Sequence, residues 1–165
     1  MQTATRTGYS LTQIVLHWAI AALVLFQLVF GESMAEAVEA AEEGEALSAV
    51  DQTMASAHYW VGIAILALVA VRLLVRIRTG APDAIGEGLS TKIAAGLHHL
   101  FYLLLVLVPV TGLMGFYLGD PWGEIHEVSK PVFIVLIAIH AGAALFHAVV
   151  LRDETLKRML RPGRG

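Results

Sequence analysis

The sequence predicts an all-α integral membrane protein, a four-transmembrane-helix bundle. Three observations lead there. The 165 residues are 57% hydrophobic and 15% charged, with a mean hydropathy of +0.70, whereas an ordinary soluble domain carries about 25% charged residues. Four apolar runs each reach the ~20 residues that a helix needs to cross about 30 Å of hydrocarbon. Ten of the eleven Lys and Arg residues fall on one side of those runs.

The spans cover about residues 10–30, 54–77, 93–118 and 125–151. The first is longer than the 7–15 apolar residues of a signal peptide and is followed by three more, so it is expected to be retained. The whole chain, 1–165, reads as a single membrane domain without internal repeats. Pro109 falls inside the third span and should kink it. Ser90 or Thr91 is the expected cap of that helix. The 79–90 loop, TGAPDAIGEGLS, is rich in turn formers.

Charge sets the orientation. Arg6, Arg72, Arg76, Arg78, Lys92, Arg152, Lys157, Arg158, Arg161 and Arg164 share one side, which should be cytoplasmic together with both termini; Lys130 alone falls on the other. The first loop carries Glu32, Glu36, Glu39, Glu42, Glu43, Glu45 and Asp51 and no base. Its Ala/Glu-rich part is a candidate short surface helix. A multi-pass membrane protein follows, its partner the lipid bilayer. No nucleic-acid partner is expected.

The chemistry lies in histidines. His126, His140 and His147 are spaced by fourteen and seven residues, which at about 100° per residue returns each to one helix face. His126 and His140 would stand roughly 21 Å apart along it. Polar groups at membrane depth usually face the bundle interior and mark function, although hydrogen bonding between helices is the plainer role of any one of them. Depth pairs them. His58, near the outer start of span two, meets the level of His126. His17, toward the cytoplasmic part of span one, meets that of His140. One histidine from each of two helices at each level is what two bis-histidine haems require. Zinc would want three or four ligands at one level. With no cysteine, disulfides, iron–sulfur clusters and covalent c-type haem are excluded, so the bundle is expected to hold two b-type haems.

His98 and His99 are adjacent, so at most one faces the bundle centre. His98 and His147, near the inner level, are candidates for a quinone site or proton handling, against the plain alternative of interfacial histidines. Arg72 is a candidate partner of a haem propionate. Small residues (Gly62, Gly112, Gly115 and the run Ala141–Ala144) allow close helix contact or leave room for a porphyrin.

The stretches YSLTQIVLHW, AHYWVGIAILALVAVRLLVRI, HHLFYLLLVLVPVTGL and EIHEVSKPVFIVLIAIHAGAALFHAVVLRDETLKRML resemble the bacterial cytochrome b561 family, whose relatives include the membrane superoxide oxidase and b-type subunits of formate dehydrogenases and hydrogenases. The resemblance implies a four-helix bundle with two b haems ligated from spans one, two and four. That pattern falls on His17, His58, His126 and His140. It implies electron transfer across the bilayer to or from ubiquinone, with superoxide oxidation coupled to ubiquinone reduction as the most concrete enzyme activity. A cytochrome subunit serving a periplasmic dehydrogenase or electron carrier is the alternative, and a haem or metal transport or sensing protein belongs to a different class. Two features depart from the pattern. Pro131, five residues after His126, is expected to make the helix irregular there. The acidic outer loop should repel an anion, with Lys130 the outer cation.

Overall fold

The computed structural model describes residues 8–83, 85, 86 and 88–163. Arg6 and Arg164, counted in the charge asymmetry, lie outside them. The described residues form five α-helices and no strand: α1 (Leu11–Phe30), α2 (Glu32–Glu43), α3 (Ala49–Thr79), α4 (Leu89–Leu118) and α5 (Trp122–Phe146). All but α2 are long and apolar enough to cross a membrane, α5 together with the turn that extends it to Leu151.

Local chemistry fixes the ends. Ser10 and Gln13 form a capping box at the start of α1: the Ser10 Oγ accepts from the Gln13 amide at 3.3 Å and the Gln13 Oε1 accepts from the Ser10 amide at 3.0 Å. Ser48 caps α3, accepting from the Asp51 amide at 3.1 Å, so that helix begins five residues before the apolar run. Helix α2 ends at Gly44 in the left-handed region, φ 71°, where a side chain would be strained. Helix α4 departs from expectation: Gly88 is its N-cap and no side chain bonds there. Ser90 and Thr91 fall inside the first turn, and the Thr91 hydroxyl is buried without a partner. Pro109 and Pro131 both lie within continuous helices, so α5 begins at Trp122 and carries His126 as a regular helical residue.

Helix α1 packs on α3, α3 on α4, and α4 on α5, while the acidic α2 lies on α3. A buried cluster of Ile20, Ile65 and Val69, with Leu23, Val61, Tyr102 and Leu105 against it, fills the middle of the bundle. Along α3 it separates His58 from Arg72. Leu25, Val71, Leu103 and Val135 are about half exposed, an apolar girdle that lipid rather than water would cover.

The two ends differ in charge. The acidic end holds α2 and the α4–α5 loop. The basic end holds the α3–α4 loop and the segments at Tyr9 and Gly163, which meet: the Gly163 amide donates to the Tyr9 carbonyl at 3.0 Å. After α5 comes a π-helical turn, His147–Leu151, and a 3-10 turn, Lys157–Met159. The tail then crosses the basic end. The Trp18 indole donates to the Met159 carbonyl at 2.8 Å, and Arg158 donates to the Asp83 carbonyl at 2.7 Å.

Candidate haem sites

Four histidines from α1, α3 and α5 form two pairs. At the acidic end the rings of His58 and His126 have centroids 5.9 Å apart; toward the basic end those of His17 and His140 are 6.3 Å apart. A metal held axially by two imidazoles, with metal–nitrogen bonds of about 2 Å, keeps the ring centroids about 6 Å apart. Both separations suit an iron between the rings. Among the described residues no three His, Cys, Asp or Glu side chains converge as a zinc cage would require.

The acidic-end pair is the more fully built. The His126 Nδ1 donates to the Val108 carbonyl on α4 at 2.8 Å, which places its proton on Nδ1 and leaves the Nε2 lone pair for a metal. Gly112, one turn along α4, makes room for the ring: a Cβ there would lie 2.9 Å from the His126 Cε1 and Nδ1. Gly115 instead allows close helix contact, its absent Cβ meeting the Gly123 backbone at 2.9 Å. His58 and His126 line a cavity of about 1180 Å³, walled by apolar side chains such as Val24, Leu105 and Phe133, and larger than the roughly 300–1,000 Å³ of drug-sized pockets.

A profile of the prokaryotic cytochrome b561 family matches residues 8–162. The chain belongs to the prokaryotic cytochrome b561 family. It is 41% identical over 156 residues to cytochrome b562 of Cereibacter sphaeroides, covering 94% of this chain and 96% of that protein. It is 29% identical over 183 residues to the probable superoxide oxidase CybB of Yersinia pestis, covering 95% and 98%. It is 28% identical over 176 residues to cytochrome b561 homolog 1 of Escherichia coli, covering 92% and 96%. Membership of a b-type cytochrome family implies b-type haem, and the paired imidazoles, the roomy cavity and the fixed tautomer of His126 fit that group.

The basic-end site is more crowded. His98 joins it, its ring 5.4 Å from that of His140, and Phe101 lies 5.3 Å from His140. His98 and His99 each donate from Nδ1 to a carbonyl one turn back, Ala94 and Ala95, at 2.7 Å. Of the two, it is His98 that meets His140. Arg72 donates from Nε to the Tyr102 hydroxyl at 3.1 Å and from a terminal nitrogen to the Gln13 carbonyl at 3.0 Å. A guanidinium has five N–H donors, so three remain for an anionic group. The Arg76 guanidinium lies 5.9 Å over the Tyr102 ring.

His147 is engaged differently. It opens the π-helical turn and pairs through Nδ1 with the Asp153 carboxylate at 2.5 Å. That hydrogen bond, helped by the Thr155 amide, holds the Asp153 carboxyl at about 2, below its ordinary 3.8. Lys130, expected as a lone cation, contacts Glu32 on α2 at 3.4 Å.

Sequence reasoning missed Gln27, whose Nε2 donates to the His58 carbonyl at 2.8 Å. An amide within an apolar span was the available signal. It also missed Tyr102 and Asp153, for which spacing offered none.

Proposed function

We propose that this protein is a di-haem b-type membrane cytochrome that carries electrons across the bilayer between a one-electron partner at its acidic end and ubiquinone at its basic end. The observation that carries the reading is two imidazole pairs at two depths, with ring separations of 5.9 and 6.3 Å. Bound haem b would supply a one-electron iron couple at each level. The chain's own residues do the rest. His58 with His126, and His17 with His140, would supply the nitrogens that hold the iron. Arg72 would hold a propionate through its remaining donors. His98 and His147 hand protons to a quinone oxygen at the basic end. The acidic end faces the periplasm and both termini the cytoplasm of a bacterial inner membrane, within a respiratory chain. A reporter fused after Arg164 is then cytoplasmic and one inserted near Glu43 periplasmic; the opposite readout reverses the two ends.

The name of the Yersinia relative makes superoxide one donor to test, the activity then being superoxide:ubiquinone oxidoreductase. A second reading, a cytochrome subunit serving a periplasmic dehydrogenase or electron carrier, is favoured by the charge at the mouth of the acidic-end cavity. Glu32, Glu39, Glu42, Glu124 and Glu127 line it, and Lys130 is paired with Glu32. Such a field slows an anion and favours a basic partner. The test has two stages. The haem-to-protein ratio of the purified protein should be about two, as two bis-histidine sites require; no haem ends both readings. Superoxide-dependent ubiquinone reduction then separates the oxidase from the subunit.

A further inference from the structure

The two acidic-end histidines differ in one respect. His126 has an acceptor for its Nδ1 proton, the Val108 carbonyl at 2.8 Å. The Nδ1 of His58 is buried with no hydrogen-bond partner, and so is one other atom in the same cavity wall, the Oε1 of Gln27. A buried polar group without a partner is costly, so two on residues that already share a hydrogen bond call for an explanation.

The two atoms are complementary. Gln27 already donates from Nε2 to the His58 carbonyl at 2.8 Å. A carbonyl can only accept, so that bond fixes which end of the amide is nitrogen and leaves Oε1 a pure acceptor. His58, if it is to offer Nε2 to a metal, carries its proton on Nδ1 and needs an acceptor there. Two glycines border the two side chains. Gly31 lies against the His58 ring, a Cβ there being 3.6 Å from Cε1 and 3.7 Å from Nδ1, and Gly62 faces the Gln27 amide, a Cβ there being 3.4 Å from Nε2.

We infer that Gln27 is the positioning residue of His58: when haem b is bound, the His58 Nδ1–H donates to the Gln27 Oε1, while the Gln27 Nε2 keeps its bond to the His58 carbonyl. The inference rests on the assignment of His58 and His126 as ligands. Gln27 thereby holds the backbone and the ring of one residue together, and does from α1 what the Val108 carbonyl does from α4. Ligand and orienting group then come from different helices on both sides of this haem, so α1, α3, α4 and α5 all converge on it. An outer-shell acceptor fixes the ring's tautomer and raises the basicity of the ligating nitrogen, which favours ferric over ferrous iron.

Three variants test this on the full-length, haem-loaded protein: Gln27→Leu, which removes both bonds, Gln27→Glu, which restores a stronger acceptor, and His58→Ala. Read-outs are haem content, the low-spin electron paramagnetic resonance signal of the acidic-end haem, and its midpoint potential. Gln27→Leu should weaken retention of that haem about 10–100-fold, raise its potential and alter its resonance signal, leaving the basic-end haem unchanged. Gln27→Glu keeps an acceptor for the ring but gives up the bond to the His58 carbonyl, so it should bring the potential to or below that of the parent protein and retain this haem better than Gln27→Leu does. A parent-like potential and signal in Gln27→Leu would overturn the inference, as would the same change in Gln27→Leu and Gln27→Glu. If His58→Ala spares the acidic-end haem, the ligand assignment itself has failed, a result distinct from either of these.

Discussion

The ring of His126 on α5 donates to the carbonyl of Val108 on α4 at 2.8 Å. That bond joins the one helix that contributes two of the four proposed ligands to the one long helix that contributes none. Helix α4 thus acts on the site through its backbone and through what it lacks, a Cβ at Gly112.

Gly112→Ala places a methyl group 2.9 Å from the His126 ring. The ring or the helix must shift, at a cost of about 1–3 kcal/mol for such overpacking. The expected result is a lowered haem content confined to the acidic-end site, with a lower thermal midpoint. Gly142→Ala, with open space around it, is the control and should match the parent protein in both measurements.

The pairing of ligands predicts which variants resemble each other. His17→Ala and His140→Ala should each remove the basic-end haem alone, and His58→Ala and His126→Ala the acidic-end haem alone. Reduced-minus-oxidised spectra with a haem assay check this. Loss of the same haem from the His17 and His58 variants would show that the pairs are drawn wrongly.

At the basic end, His98→Ala and His147→Ala should retain both haems yet slow reoxidation of the reduced protein by a soluble ubiquinone, on the order of 10²-fold if each serves as a proton donor. Stopped-flow absorbance is the measurement. Parent rates in both variants, with haem intact, would put the quinone elsewhere. A slow His98 variant beside a parent-like His147 variant would confine the role to the histidine that contacts His140 and leave His147 to its bond with Asp153.

That bond predicts a pH dependence. The Asp153 carboxyl is held at about 2, below 3.8, chiefly by the hydrogen bond from His147. A carboxylate depressed in the folded state contributes its stability above the unfolded value and loses it as pH falls through the folded one. The tail's attachment should therefore be steady from neutral pH down to about 4 and weaken toward about 2. The Thr155 amide, which donates to the Asp153 Oδ1 at 2.9 Å, reports it through hydrogen exchange. Asp153→Asn should speed that exchange at neutral pH.

The sequence by itself determined the four spans, because their signal is a solvent preference summed over about 20 residues and survives any detail of packing. It determined the charge asymmetry of the two ends for the same reason. The depth of each histidine follows from a rise of about 1.5 Å per residue, so the levels at which His17, His58, His126 and His140 lie were legible, and the acidic α2 was visible in its Ala/Glu composition. Only the tertiary structure decided what depth cannot express: azimuth and the partner across a helix interface. It turned His98 rather than His99 toward His140. It separated Gly112, which clears a ring, from Gly115, which clears a backbone. It gave Lys130 to Glu32 and His147 to Asp153, and it made Gly88 the cap of α4 where Ser90 and Thr91 were expected. Such choices rest on single contacts of about 3 Å between segments far apart in the chain, such as Gln27 with His58 or Arg72 with Gln13. No periodicity along one helix encodes them, because the rotation of each helix about its own axis is set by its neighbours.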